Sequence, residues 1–153
     1  LHLPAIAHEA GIDFDLHDVG KIFHKTPYIA DLKPGGKYVA KDLHEIGGVS
    51  VVMKALLEGG YLHGDCLTVT GKTIAQNLKN ITLPAGQDVV YSTKRPLSKT
   101  GGVVTLKGNL APEGAIVKVA GMQHLHHRGP ARVFDREEDA FAAVEKQKYK
   151  DGD

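Results

Sequence analysis

The most informative stretch of this chain is residues 30–48, which read ADLKPGGKYVAKDLHEIGG. Its charged or titratable side chains are spaced among four glycines and belong to Asp31, Lys33, Lys37, Lys41, Asp42, His44 and Glu45. Glycine lets a backbone approach a ligand or another segment closely, and this density of charge is unusual in a loop that only connects two elements. We therefore expect a functional surface here, and the alternative is a solvated, glycine-rich loop.

The candidate site residues come from this stretch. Asp42, His44 and Glu45 are the candidates for catalytic or cleft-lining groups, and Lys33 and Lys37 are the candidates for substrate-binding groups. A contact between two copies of the chain is the other role that we consider for these five side chains.

The first half of the chain, on both sides of this stretch, has helical periodicity. Apolar residues recur every three to four positions, with Asp15 as an N-cap and Gly11 after the first helix. The pattern predicts helices over residues 3–10, 16–25, 41–46, 49–58 and 73–79.

The second half changes to short β-branched runs that glycine and proline separate. We predict strands over Asp88–Tyr91, Val103–Leu106, Ala115–Val119 and Ala131–Phe134, with turns at Gly101-Gly102, Gly108-Asn109 and Pro112–Gly114. One further helix is predicted over Arg136–Gln147. Helices followed by strands indicate an α+β chain or a domain junction, with the boundary at Leu83–Gly86.

Composition excludes several classes of protein. The 153 residues are 42% hydrophobic and 24% charged with a net charge of +1, which argues against disorder and against a basic nucleic-acid-binding surface. No apolar run approaches the roughly 18–20 residues of a membrane span, and no secretory signal is visible. One cysteine, Cys66, allows no internal disulfide, so we expect a cytoplasmic protein. The lack of an initiator methionine predicts a piece of a longer chain.

Several short motifs lack a residue at the spacing that the corresponding function requires. Thr70-Gly71-Lys72-Thr73 lacks the second glycine of a phosphate-binding loop, because Cys66 occupies that position, and a helix start is the better account. His8-Glu9 and His44-Glu45 lack the second histidine of a zinc-protease helix. We expect His8 to be half-buried, Cys66 to be a small buried side chain, and His124, His126 and His127 to lie in an exposed polar loop. Arg128 and Arg132 are weak candidates for an anion contact.

Longer motifs carry a resemblance along the whole chain. They are AIAHEAG (residues 5–11), ADLKPGGKYV (30–39), DLHEIGG (42–48), LHGDCLTVTGKT (62–73), GNLAPEGA (108–115) and GPARVFD (129–135). In this order they resemble the dihydroxy-acid dehydratase family, which includes phosphogluconate and sugar-acid dehydratases. Residues 31–48 fit its branched-chain amino-acid branch better than its phosphogluconate branch.

The resemblance implies an architecture. Residues 1–86 would be the C-terminal part of a mostly helical N-terminal α/β domain, and residues 87–153 the first part of a C-terminal β-barrel-like swivel domain. It also implies an iron–sulfur cluster and Mg²⁺ whose ligands lie outside these residues, a dihydroxy acid as substrate, and a homodimer or a dimer of dimers. Nucleic acid and membrane are not expected partners, and in a eukaryote the compartment would be an organellar matrix.

Three hypotheses about function remain. The first is a fragment of a dihydroxy-acid dehydratase, a hydro-lyase of isoleucine and valine biosynthesis, that is inactive by itself. The second is a sugar-acid dehydratase of the same family, acting on an aldonate or phosphogluconate. The third is an autonomous, non-enzymatic binding domain.

Overall fold

A computed structural model describes residues 2–152 of the 153. This part of the chain contains six helices and one two-stranded antiparallel sheet. In chain order the elements are α1 (His2–Glu9), α2 (Leu16–Lys25), α3 (Ala40–Glu45), α4 (Val49–Glu58), α5 (Ile74–Asn77), β1 (Val103–Gly108), β2 (Ala111–Lys118) and α6 (Glu137–Glu145).

The helices form where their sequences contain start and stop signals. The Asp15 side chain accepts a hydrogen bond from the Asp18 backbone N–H at 2.9 Å, and the Asp18 carboxylate accepts one from Asp15, which closes a capping box at the start of α2. Gly11 follows α1 with a positive φ of 68°, a conformation that glycine adopts without strain. All six predicted helices are confirmed: α2 and α4 have the predicted ends, and the ends of the other four differ by one or two residues.

The predicted strands over Val103–Leu106 and Ala115–Val119 are also confirmed, and they pair as an antiparallel hairpin whose second strand is longer than expected. β2 begins at Ala111, so the predicted turn at Pro112–Gly114 lies inside the strand. The register passes from Leu106–Ala115 to Gly108–Ala111 through an irregularity, and Gly114 has a φ of 105° there. The turn residues therefore form a bulge in the ladder rather than its end.

Two predicted strands are wrong. In Asp88–Tyr91 the Gln87 side chain binds the backbone amides of Val89 and Val90, so those amides are not available to a ladder and only an isolated bridge, Ala30 to Val90, forms. Residues 131–134 are exposed and pair with no strand of the described residues, and an apolar alternation without a neighbouring strand does not make a sheet.

The chain divides into two compact units, residues 1–122 and 123–153. The first unit contains the core, in which Val51 and Ala55 of α4 pack with Ile29, Val89 and Val90. Each of these five side chains is at most 5% exposed. The second unit contains α6 and the loop before it, and none of its described side chains is buried.

The hairpin packs on α2 through a glycine. A methyl group on Gly20 would overlap the side chain of Thr105, so only glycine allows helix and strand to approach this closely. Gly101 makes a similar approach to Phe23 at the end of the same helix.

The described residues form an α+β arrangement. The proposed division at residue 86, with a swivel domain after it, concerns the complete protein and stays a prediction. No helix among residues 2–152 is long and apolar enough to cross a membrane.

Candidate functional site

The loop over residues 31–38 is closed by backbone hydrogen bonds. Tyr38 N–H donates to Asp31 C=O at 3.0 Å, and Lys33 N–H donates to Tyr38 C=O at 2.7 Å. Gly36 lies directly against Asp31, and a Cβ there would come within 2.6 Å of the Asp31 carbonyl oxygen. The glycine-rich sequence thus serves a tight loop in which only hydrogen fits at position 36.

This loop is joined to residues 87–91, which are remote in sequence. Asp31 N–H donates to Val89 C=O at 2.9 Å, and Tyr91 N–H donates to Ile29 C=O at 2.8 Å. Gln87 holds the second segment in shape, because its amide oxygen accepts the Val89 and Val90 N–H groups and its amide nitrogen donates to Val90 C=O at 2.7 Å. The two segments therefore form one continuous surface over the core.

A cluster of charged and polar side chains lies where the two segments meet. The Lys37 ammonium lies 3.2 Å from the Asp88 carboxylate and 3.6 Å from the Asp31 carboxylate. The Tyr38 hydroxyl donates to the other Asp88 oxygen at 2.5 Å, and the Lys37 ammonium lies 5.2 Å from the centre of the Tyr38 ring. Asp31 is the buried member, at 8% exposure, and its carboxylate also accepts the Lys37 backbone N–H at 3.3 Å. We call these four residues, Asp31, Lys37, Tyr38 and Asp88, the clasp.

The contacts of the clasp keep Asp88, Lys37 and Tyr38 in their ordinary protonation states at neutral pH. Hydrogen bonds from Tyr38 and Lys37 lower the pKa of Asp88. The hydrogen bond to Asp88 raises the pKa of Lys37, and the same carboxylate raises the pKa of Tyr38. Asp88 is therefore ionised, Lys37 charged and Tyr38 neutral near pH 7, which suits holding two segments together better than transferring protons.

The candidates on α3 are placed on one short helix. The Asp42 carboxylate accepts the Val39 backbone N–H at 2.7 Å, so this side chain starts the helix. Glu45 lies 3.8 Å from Lys41, one turn earlier, and His44 is exposed in the last turn.

The structure does not join the five sequence candidates into one network. No hydrogen bond or ion pair within the described part of the chain links any two of the side chains of Lys33, Lys37, Asp42, His44 and Glu45. Their roles as catalytic and substrate-binding residues stay predictions.

Sequence reasoning missed Tyr38 and Asp88 and gave Asp31 no role of its own. Asp88 is 51 positions from Lys37 and falls at the start of a segment that reads as an ordinary strand. No local signal marks it. Asp31 lies in the charged stretch of residues 30–48. The Gly35-Gly36 pair nearby was the one sequence signal that another segment packs closely against the Asp31 backbone.

Other sequence expectations have mixed outcomes. Cys66 and His8 are exposed, so the expected burial of both is wrong. The three histidines near residue 125 are exposed as expected. Thr73 caps α5 by accepting the Gln76 N–H, which confirms that the Gly71-Lys72-Thr73 motif starts a helix.

The second unit contains its own cavity, of about 760 Å³. Its basic lining residues are His127, Arg128, Arg132 and Lys148, and its apolar ones include Pro130, Phe134, Val144 and Tyr149. The Arg132 guanidinium donates to the Lys148 carbonyl at 2.6 Å.

Comparison with known proteins covers nearly the whole chain. The family model described as dihydroxy-acid/6-phosphogluconate dehydratase N-terminal matches residues 1–77, and the one described as dihydroxy-acid/6-phosphogluconate dehydratase C-terminal matches residues 88–153. The clasp contains residues from both matched parts, because Asp88 is the first residue of the second match.

The individual relatives are named as dihydroxy-acid dehydratases. The chain is 68% identical to a dihydroxy-acid dehydratase of Parvibaculum lavamentivorans, 66% identical to dihydroxy-acid dehydratase 2 of Bradyrhizobium diazoefficiens, and 53% identical to a dihydroxy-acid dehydratase of Streptococcus suis. Each alignment covers 100% of this chain and 27% of the relative, so the chain spans about a quarter of the length of these proteins. With both family models matched in order, the chain belongs to the dihydroxy-acid/6-phosphogluconate dehydratase family.

Proposed function

We propose that the complete protein is a dihydroxy-acid dehydratase, a hydro-lyase that converts 2,3-dihydroxy carboxylic acids into 2-keto acids in isoleucine and valine biosynthesis. One observation carries this proposal. Identity of 50–68% to proteins named dihydroxy-acid dehydratase extends over all 153 residues of the chain.

The reaction sets requirements that a site must meet. A base removes the proton from C2, the hydroxyl on C3 departs and takes up a proton to become water, and the resulting enol tautomerises to the 2-keto acid. The enzyme therefore needs a base, a group that stabilises the departing hydroxyl, and cations for the substrate carboxylate. Lys33, which is exposed, is a candidate for the last task, and Asp42, His44 and Glu45 are the candidates for groups that line the cleft.

The cofactors expected from the family do not fit the residues described. An iron–sulfur cluster requires several cysteine thiolates, and the sequence contains one, Cys66. No group of three or more His, Cys, Asp or Glu side chains that could hold a metal ion occurs within residues 2–152. The ligands of a cluster and of Mg²⁺ would therefore come from other parts of the complete protein.

The proposed role of these residues is structural and positional. They would form part of the cleft wall and of the junction between the two family domains, since the clasp joins residues from both matched parts. We expect no turnover from the 153 residues alone. The complete protein would be a cytoplasmic homodimer or dimer of dimers.

A direct assay separates the hypotheses. The complete protein, purified without oxygen and supplied with iron, sulfide and Mg²⁺, would be assayed for 2-keto acid on a branched-chain 2,3-dihydroxy acid and on 6-phosphogluconate. Preference for the branched-chain substrate supports the proposal. Preference for 6-phosphogluconate would favour the sugar-acid branch, which the family description also names.

The binding-domain hypothesis predicts a different result. Turnover would be absent with both substrates, and the 153-residue chain would unfold cooperatively by itself. Turnover with either substrate rejects that hypothesis.

A further inference from the structure

The clasp joins the two parts of the chain that the two family models match. Asp31, Lys37 and Tyr38 lie in the first matched part, and Asp88 begins the second. Only ten residues, 78–87, separate the two matches, yet the contact does not follow from that short connection, because Lys37 is 51 positions from Asp88. The clasp is a tertiary contact across the junction.

Lys37 contacts Asp31 and Asp88 through two different groups, its backbone N–H and its side-chain ammonium. Its backbone N–H binds the buried Asp31 carboxylate at 3.3 Å, which fixes the loop. Its ammonium, on a side chain that is 64% exposed, extends to Asp88 at 3.2 Å. Lys37 thus connects a rigid point of the first part to the first residue of the second.

The clasp lies directly before α3, the helix that contains the candidate residues Asp42, His44 and Glu45. Tyr38 is followed by Val39, whose N–H binds Asp42, and α3 begins at the next residue. A change in how residues 31–38 lie against residues 87–91 therefore moves the start of the helix that contains Asp42, His44 and Glu45.

From these contacts we infer that Lys37 is a positioning residue that, acting through Asp88, sets how the loop over residues 31–38 lies against residues 87–91, where the second family match begins. It is not a substrate-binding residue in this assignment, because both of its charged contacts are to carboxylates of the chain itself. The inference rests on the proposed dehydratase function for its kinetic consequence, but the contact itself can be tested separately.

The variants are chosen so that the loss of the Lys37–Asp88 contact can be distinguished from the loss of a positive charge elsewhere on the surface. Lys37→Met removes the ammonium and keeps the length of the side chain. Lys21→Met is the matched control, because the Lys21 side chain is 68% exposed and also lies within 2.8 Å of an aspartate, Asp18, but inside a single helix. Lys37→Arg keeps the charge and the reach to Asp88, and Asp88→Asn removes the partner.

The kinetic readout distinguishes positioning from substrate contact. In the complete enzyme we expect Lys37→Met to lower kcat by about 5- to 10-fold with KM within about twofold of the unaltered enzyme, as for small displacements of a site. Asp88→Asn should have the same effect, the double variant should lose no more than either single one, and Lys37→Arg should restore most of kcat.

Three outcomes would overturn the inference. One is a rise in KM without a fall in kcat, which would make Lys37 a substrate contact. The second is additive losses in the double variant, and the third is a response no larger than that of Lys21→Met.

A second measurement does not depend on activity. Hydrogen exchange of the Asp31 and Tyr91 amides, which bridge the two segments, should be faster in Lys37→Met and Asp88→Asn than in the unaltered protein and unchanged in Lys21→Met. Unchanged exchange in the first two variants contradicts the clasp. If the unaltered enzyme shows no dehydratase turnover, the proposed function fails, and this exchange result still decides for or against the clasp.

Discussion

The Lys37 ammonium lies 3.2 Å from the Asp88 carboxylate, across 51 positions of sequence. A surface ion pair of this kind contributes little to stability by itself, because water and salt screen it. Here it is joined to a hydrogen bond from Tyr38 to Asp88 and to the buried Asp31. Its importance therefore lies in orientation, and the backbone bonds and core beneath it hold the fold.

The first prediction concerns the close approach at Gly36. Gly36→Ala places a methyl group against the Asp31 backbone, so the loop must shift, and we expect a loss of about 1–3 kcal/mol in the free energy of unfolding. Gly108→Ala is the control, because among the described residues no atom beyond its own chain neighbours lies within 4 Å of the Cβ position there. Chemical denaturation of the complete protein measures both, and equal effects of the two substitutions would contradict the close packing described.

The second prediction concerns Gln87. Its half-buried amide satisfies three backbone groups of Val89 and Val90, so Gln87→Ala leaves them without partners and should cost about 1–3 kcal/mol of stability. Gln76 offers a comparison, since it binds one backbone N–H at the exposed start of α5. Gln76→Ala should cost less than half as much in the same thermal or denaturant measurement, and the reverse order would refute the role assigned to Gln87.

The third prediction separates the helix-starting role of Asp42 from a chemical one. Asp42→Ala removes the acceptor for the Val39 N–H and should cost about 0.5–1.5 kcal/mol of stability. Asp42→Asn keeps an acceptor oxygen, so stability should be retained. If Asp42→Asn nevertheless abolishes turnover of the complete enzyme, Asp42 has a catalytic role beyond the helix start.

The fourth prediction concerns His44, which is exposed and has no structural task in α3 among the contacts of the described residues. His44→Ala should therefore leave the unfolding transition within about 0.5 kcal/mol of the original. A fall in turnover at unchanged stability would support a place in the cleft. A loss of stability that accounts for the loss of activity would make His44 a structural residue.

The fifth prediction concerns pH. Asp88 has a lowered pKa, so its contribution to stability is present above the ordinary value of 3.8 and is lost as the pH falls through the lower folded value. Lys37 and Tyr38 have raised pKa values, so their contributions are complete below 10.5 and 10.0 and are lost as the pH rises through the higher folded values. The stability difference between the unaltered protein and Asp88→Asn should therefore be constant from about pH 5 to 9. A maximum inside that range would contradict the assignment.

Local signals were sufficient for the helices. A cap such as Asp15 or Thr73 and the apolar stripe behind it act within four or five residues, so their effect can be inferred from sequence alone. The hairpin of β1 and β2 is nearly as local, because its strands follow each other directly. The ordered motifs likewise indicated the family, which the family models confirm.

Contacts between remote residues could not be inferred in this way. Whether Asp88–Tyr91 forms a strand depends on where Gln87 directs its amide, and whether Ala131–Phe134 forms one depends on a neighbouring strand. Periodicity measures only the preference of a segment, while pairing depends on which other segment the fold brings beside it.

By itself the sequence determined the helices, the hairpin and the family, because each of these is expressed in contiguous residues. Only the tertiary structure decided that Lys37 and Tyr38 meet Asp88 over a shared core. The physical reason is that burying Ile29, Val89 and Val90 against α4 brings the two segments together, and the charged side chains above that core then pair.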